Sequence, residues 1–300
     1  LNIFMKIFDC FMYFDEEVVL DVRLNTLDQF VDYFVIVESI FTHKGDKRKL
    51  NFNHEKFKKF KDKIIYLIYE ESSNKIETVN DNDGEAINSG KYILNAALRE
   101  NGQRNYIQNG LVKADDEDIV LISDVDEIPN LSKINFNQLN QKIILFKQDM
   151  FYYKFNLCIP DLKWTGTKAC KKKNLINPQW LRNIKDRKYP FFRLDTYFSY
   201  NKYISIKVIE NGGWHFSNIK NAKQIEHKLK SYLHHREFDL KPLTTDEIEK
   251  IIKDKKAIYD LKVDKRINKI GDGSKLHKFE LNKLPIYIQE NYNAYKEWID

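Results

Sequence analysis

Ile119-Val120-Leu121-Ile122-Ser123-Asp124-Val125-Asp126-Glu127-Ile128-Pro129 is the stretch on which the reading of this chain turns. Its first four residues are β-branched or aliphatic and are bounded by a polar cluster, which is the pattern of a buried strand. Such a strand delivers carboxylates to its C-terminal end, where open α/β sheets bind ligands. Alternate residues of an extended strand point the same way, so the spacing predicts that Asp124 and Asp126 face one cation together. Hard divalent ions such as Mg²⁺ and Mn²⁺ take oxygen ligands and bridge carboxylates to a nucleotide's phosphates. The pattern points to metal-assisted chemistry on a diphosphate, with a solvated Asp-x-Asp turn as the plainer alternative.

Outward from the motif, the first half alternates strands and helices. Ile7-Phe8-Asp9-Cys10-Phe11 reads as a first core strand, residues 16–30 as a helix, and Tyr33-Phe34-Val35-Ile36-Val37 as a second strand ending at Glu38-Ser39. Ile64-Ile65-Tyr66-Leu67-Ile68 is a third, residues 71–90 a polar loop, and residues 91–111 a helix leading to the motif strand. This order predicts an α/β fold with a mainly parallel sheet and right-handed crossovers. In the second half, residues 142–146 form a strand that runs on through Met150-Phe151-Tyr152-Tyr153. A basic loop is expected at residues 168–173, a half-exposed strand at 203–209, and the block Gly212-Gly213-Trp214-His215-Phe216 after it. From Ala222 the chain reads helical, with one amphipathic helix over residues 246–261. The expected division is a nucleotide-binding catalytic unit at 1–221 and a helical C-terminal extension at 222–300 packed on it.

The 300 residues are 42% hydrophobic and 31% charged, enough for one large domain. No stretch reaches the roughly 20 apolar residues of a membrane-spanning helix. The N-terminal apolar run is broken by Lys6 and Asp9 and lacks signal-peptide organisation. Cys10, Cys158 and Cys170 include no close pair and fit a reducing compartment, so a cytoplasmic location is expected. A peripheral contact at the inner membrane face stays open. The net charge of +6 suits anionic partners such as nucleotides without indicating nucleic acid.

Several side chains carry chemistry by position. Glu38, at the end of the second strand, can accept from a ribose or a base, or serve a helix N-terminus. Thr42, His43, Lys44 and Gly45 make a polar loop with a cation suited to phosphate, although a surface lysine is the commoner case. Glu100 and Arg104, four apart on a helix, form an ion pair or hold the acidic motif. His215 follows two glycines that let backbone approach a ligand, and imidazole is a good Mn²⁺ ligand; a packed core histidine is the alternative. Trp214 can stack on a sugar or lie buried. Lys168, Lys171, Lys172 and Lys173 form a charge run that is solvated or faces an anionic surface.

Taken together, these stretches resemble glycosyltransferase family 17, the β-1,4-mannosyl-glycoprotein β-1,4-N-acetylglucosaminyltransferase family. The resemblance rests on residues 7–11 with Phe14-Asp15-Glu16, residues 31–39 with Thr42, Gln103-Arg104, residues 122–129 and Gly213-Trp214-His215-Phe216-Ser217, in the family's order. It implies a GT-A (Rossmann-like) fold, inversion at the anomeric carbon, Mn²⁺ or Mg²⁺, and a nucleotide-sugar donor, best known as UDP-GlcNAc. It also implies metal or pyrophosphate contacts at Asp124, Asp126 and His215 and a nucleotide contact at Glu38; the expected donor-binding set is completed by Asp9, Thr42, Lys44, Arg104, Asp124 and Trp214. The eukaryotic members carry a membrane anchor and stem that are not seen here, so the expected acceptor is a bacterial or viral glycan, lipid-linked or on a surface polysaccharide.

The expected mechanism is direct displacement, with a carboxylate deprotonating the acceptor hydroxyl. Asp149 is the expected base, because it follows the strand after the motif and sits beside aromatic residues; Glu127 is second. Two rivals stand beside this reading. A haloacid-dehalogenase-type phosphohydrolase also places Asp-x-Asp after a strand, and a non-catalytic glycan-binding protein would use the 17 Tyr and 20 Phe residues.

Overall fold

In the computed structural model the motif strand, β4 (Ile119–Asp124), lies between β1 (Ile7–Tyr13) and β7 (Leu157–Lys171). The structure describes residues 5–71, 73–80, 82–187, 189–190, 192–196, 198–203, 205–233, 235–259 and 273–300. β1 runs parallel to both β4 and β2 (Tyr33–Ser39), and β2 parallel to β3 (Ile64–Tyr69). Beyond β4 the direction changes. β7 is antiparallel to β4 and to β6 (Ile143–Tyr152), and β6 is parallel to both β8 (Ile206–Ile209) and β9 (Gly213–Ser217). The short β5 (Glu127–Pro129) closes the order β3-β2-β1-β4-β7-β6-β9-β5, antiparallel to β9. This is an α/β, Rossmann-like sheet flanked by helices.

The two-residue period of a strand sorts side chains between two cores. Val120 and Ile122 of β4 join Phe8 and Cys10 of β1 in one cluster, with Ile107, Trp180 and Leu181. Ile119 and Leu121 join Phe11, Tyr13 and the helix α1 (Glu17–Leu27) in the other. The first face is covered by α2 (Glu85–Tyr106) with the following turn, and by α3 (Pro178–Asn183). A third cluster packs Met150 and Tyr152 of β6 against α4 (Ala222–Ser231), α5 (His235–Leu240) and α6 (Thr245–Lys253).

Four expected elements differ from the structure. α2 begins at Glu85, inside the stretch read as loop. The basic residues 168–173 are not a loop, because Ala169 and Cys170 extend β7 against Leu121 and Val120. Lys168 is consequently buried, and Lys171 and Lys173 pair with Glu117. The half-exposed strand is shorter than read and starts at Ile206. The helix expected to reach residue 261 stops at Lys253, and Lys255 has a φ of 52° that ends it; residues 260–261 lie outside the described residues.

Arg23 on α1 is the side chain that ties helix, sheet and motif together. It is fully buried, and so is Asp9 of β1, to which it donates twice, at 2.8 and 2.6 Å. Its remaining amino group donates to the carbonyls of Asp124, Val125 and Glu127 at 3.2, 3.2 and 2.8 Å. One guanidinium thus satisfies three backbone acceptors of a turn that has no ladder of its own. Removing one partner of a buried ion pair strands the other, so Arg23→Met is expected to cost about 3–5 kcal/mol in urea denaturation.

A second stability prediction concerns pH. His235 is buried on α5; its Nδ1 lies 3.0 Å from the Tyr232 carbonyl, and its Nε2 has no hydrogen-bond partner among the described residues. Burial lowers its pKa below the ordinary 6.5; Asp239 opposes the shift and Lys44 and Arg99 assist it. The unfolded chain therefore binds the extra proton first, and stability falls as pH drops through about 6.5. His235→Leu should show a smaller loss of Tm between neutral and acidic buffer than the parent chain.

Candidate active site

A cavity of about 330 Å³ opens at the C-terminal ends of β1, β2 and β4 and against α4. Its wall includes Phe14, Glu16, His43, Glu100, Asp124, Asp126, Trp164, His215 and Lys228. That volume is at the lower end of the range for ligand pockets.

The two aspartates of the acidic motif take different partners. β4 ends at Asp124, the chain turns at Val125 and Asp126, and β5 starts at Glu127, so strand alternation stops between the two aspartates. Asp124 instead continues the face of Val120 and Ile122, toward α2 and α3. There Arg104 Nη2 donates to one of its oxygens and Arg182 Nη2 to the other, each at 3.0 Å. Burial disfavours its charge, but Arg182 and then Arg104 outweigh that and hold the carboxyl well below its ordinary value. Glu127 is fully buried and saturated. It accepts from Trp164 Nε1 at 2.7 Å, from Arg182 at 2.7 and 3.0 Å, and from the Asp124 N–H at 2.9 Å.

Asp126 is the acid of the motif that is brought to His215. The antiparallel register sets Glu127 opposite His215, and the Phe216 N–H donates to the Asp126 carbonyl at 2.8 Å. His215 Nε2 then lies 3.4 Å from Asp126 Oδ1, and its buried Nδ1 has no partner among the described residues. Burial opposes the imidazolium, yet Asp126, Glu127 and Asp124 prevail and raise the His215 pKa. Gly213 makes this register possible. It has a φ of 133°, and a Cβ there would sit 2.1 Å from the Ile128 carbonyl oxygen. The glycine pair is therefore needed for close approach of backbone to backbone, not to a ligand.

The chain matches glycosyltransferase family 17 over residues 2–299. It belongs to that family and is a glycosyltransferase. No curated protein matches it.

Within this family 17 fold, several residues expected at the site are committed elsewhere. Asp9 is sealed in its pair with Arg23. Glu38 is buried and accepts from Arg48 at 2.7 Å, the Asn51 and Phe52 N–H groups at 2.6 and 3.0 Å, and the Tyr66 hydroxyl at 2.8 Å, so it anchors the loop after β2. Thr42 Oγ1 caps the turn by accepting from the Gly45 and Asp46 N–H groups, both at 3.1 Å. Lys44 pairs with Asp239 at 3.3 Å. Trp214 points away from His215 into the core, where its Nε1 donates to the Lys283 carbonyl at 2.9 Å. Asp149 alternates with the lining residues Met150 and Tyr152 and pairs with Lys163 at 2.6 Å, outside the cavity. Glu127 does not line it either.

Other residues occupy the cavity without having been legible as site residues. Trp164 of β7 replaces Trp214 as the aromatic wall, its ring centred 5.5 Å from that of His215. Lys228 comes from α4, while Arg182 of α3 stands behind the wall and holds Asp124. His43, the neighbour of Thr42 and Lys44, faces inward with Nε2 3.3 Å from Gln103 Oε1, and burial lowers its pKa. Only the Gln103-Arg104 pair was a hint here.

Among the described residues, no group of three His, Cys, Asp or Glu is arranged to hold a metal ion, so the expected trio of Asp124, Asp126 and His215 does not form. Two of the three do converge. One oxygen and one imidazole nitrogen suit Mn²⁺, and such ions commonly take one or two protein ligands with substrate phosphates and water completing the shell. Asp126 and His215 fit that role.

Since Asp149 lies outside the cavity, Asp149→Asn is expected to retain near-parental transfer. Glu127→Gln breaks a buried bidentate pair and should lose about 3 kcal/mol of stability, read by thermal or urea denaturation.

Proposed function

We propose that this glycosyltransferase moves a sugar with inversion from a nucleoside-diphosphate donor to a glycan hydroxyl, with GlcNAc from UDP-GlcNAc as the donor. The observation that carries this reading is the pairing of Asp126 with His215 at the wall of an acid-lined cavity. Asp126 and His215 would hold Mn²⁺ or Mg²⁺, which supplies neutralising charge for the departing diphosphate. The rest falls to the chain's own side chains. Trp164 offers aromatic surface for a sugar face. The acceptor proton goes to a lining carboxylate: Asp124 has both oxygens taken by guanidiniums, whereas Arg104 takes one oxygen of Glu100 at 2.8 Å and the two N–H groups on Glu16 share one oxygen, so Glu16 and Glu100 are the acids proposed for it.

The clamp on Asp124 also argues against a phosphohydrolase. That chemistry needs the first aspartate as a nucleophile, and both of its oxygens already accept from arginine. Three free cysteines support a reducing compartment. No helix among the described residues is long and apolar enough to cross a membrane.

Incubation with a nucleotide-sugar panel, with and without Mn²⁺, is the direct test. Slow Mn²⁺-dependent release of UDP from UDP-GlcNAc is expected, with Asp126→Asn and His215→Ala each losing about a hundred-fold. Phosphate release from simple esters without donor hydrolysis would overturn the reading.

A further inference from the structure

A diphosphate entering this cavity meets four carboxylates, Glu16, Glu100, Asp124 and Asp126, and the lining residues with a fixed positive charge are Arg48 and Lys228. Arg48 is already spent on structure. It donates to the Ser39 carbonyl and Glu38 Oε1, both at 2.7 Å, and to the Phe14 carbonyl. Nearby cations outside the lining are equally engaged. Arg104 and Arg182 hold Asp124, and Lys220 donates to the Asp15 carboxylate and, at 3.1 Å, to its carbonyl.

Lys228 differs from all of these. Its ammonium lies 3.5 Å from Glu16 Oε1 and 3.9 Å from Asp126 Oδ2, long for hydrogen bonds and beside the Asp126–His215 pair. Its stem is held because α4 is anchored at its start by a capping box between Asn221 and Gln224, and Ile225 and Leu229 on either side of Lys228 are buried. Glu16 is itself held, by the Phe14 and Asp15 N–H groups at 3.3 and 3.1 Å, so it steers the ammonium. An ammonium has three donors, and phosphate oxygens are stronger partners for them than carboxylates at these separations.

We propose that Lys228 is the chain's own cation for the donor's diphosphate, binding phosphate oxygens directly beside Asp126 and without needing a metal ion to do so. The proposal rests on the nucleotide-donor reading above. Lys228 is then a binding residue, and its contact with Glu16 sets where the diphosphate sits.

The test is a titration of the full chain with UDP and with uridine in EDTA, followed by ligand-observed NMR, together with melting curves. The parent chain is expected to bind UDP more tightly than uridine although no metal is present. Lys228→Gln should weaken UDP by about ten- to a hundred-fold and leave uridine unchanged, because only the charged hydrogen bonds to phosphate are lost. Lys228→Arg should keep most of the UDP affinity. Equal UDP affinity in the parent chain and Lys228→Gln would overturn the proposal, as would parental UDP binding no tighter than uridine. Loss of uridine together with UDP, with a lowered Tm, would make Lys228 a structural residue and overturn it too. If the parent chain binds neither ligand even with Mn²⁺, the uridine-nucleotide donor reading itself fails, which is a different result from failure at Lys228 alone.

Discussion

The buried guanidinium of Arg23 is the constraint on which the site depends. A turn that leaves the sheet between Asp124 and Glu127 directs several carbonyls into the interior, where they need donors. Arg23 collects three of them and returns its charge to Asp9 on the adjacent strand. Burying a charge is tolerable only when it is paired and hydrogen-bonded, and here both conditions hold. The result is a rigid acidic turn whose orientation is set from below by α1, leaving its upper face for a ligand.

Above that turn, arginines divide the labour of three acids. Arg182 and Arg104 take both oxygens of Asp124, and Arg182 also grips Glu127. Those two carboxylates are thereby made into structure, Glu127 fully buried and Asp124 at the cavity wall with both oxygens paired. Asp126 escapes because it sits at the turn itself, where neither face of the sheet claims it. Its neighbours are a histidine, able to share in binding a cation, and a lysine, able to bind an anion. One four-residue motif thus yields three acids in three different electrostatic settings.

The change of strand direction beyond β4 has a consequence for where function is built. The parallel half supplies the cavity floor, as expected of an α/β sheet. The antiparallel half, β5 to β9, reaches over it and contributes Trp164 and His215. The α4 helix then closes the side with Lys228. None of these three is near the acidic motif in sequence, and each arrives through a pairing or packing contact.

By itself, the sequence determined the alternating strands and helices of the first half, the buried motif strand with acids at its end, and membership of a glycosyltransferase family carried by blocks such as residues 122–129 and Gly213 to Ser217. Those features are local: hydrophobic period, turn residues and short motifs survive in one dimension. Which partner each acid of the motif takes was decided only in three dimensions. Asp124 and Asp126 look equivalent by spacing, yet one faces two arginines, brought from 20 and 58 residues away, while the other faces a histidine. Asp149 and Trp214 have the right chemistry for the site but lie on the wrong side of their strands. Glu38 has the right position but its oxygens are consumed by a loop. The physical reason is common to all of them. A side chain's role is set by the partners that satisfy its charge and hydrogen bonds, and those partners are chosen by strand register and helix packing across long sequence separations.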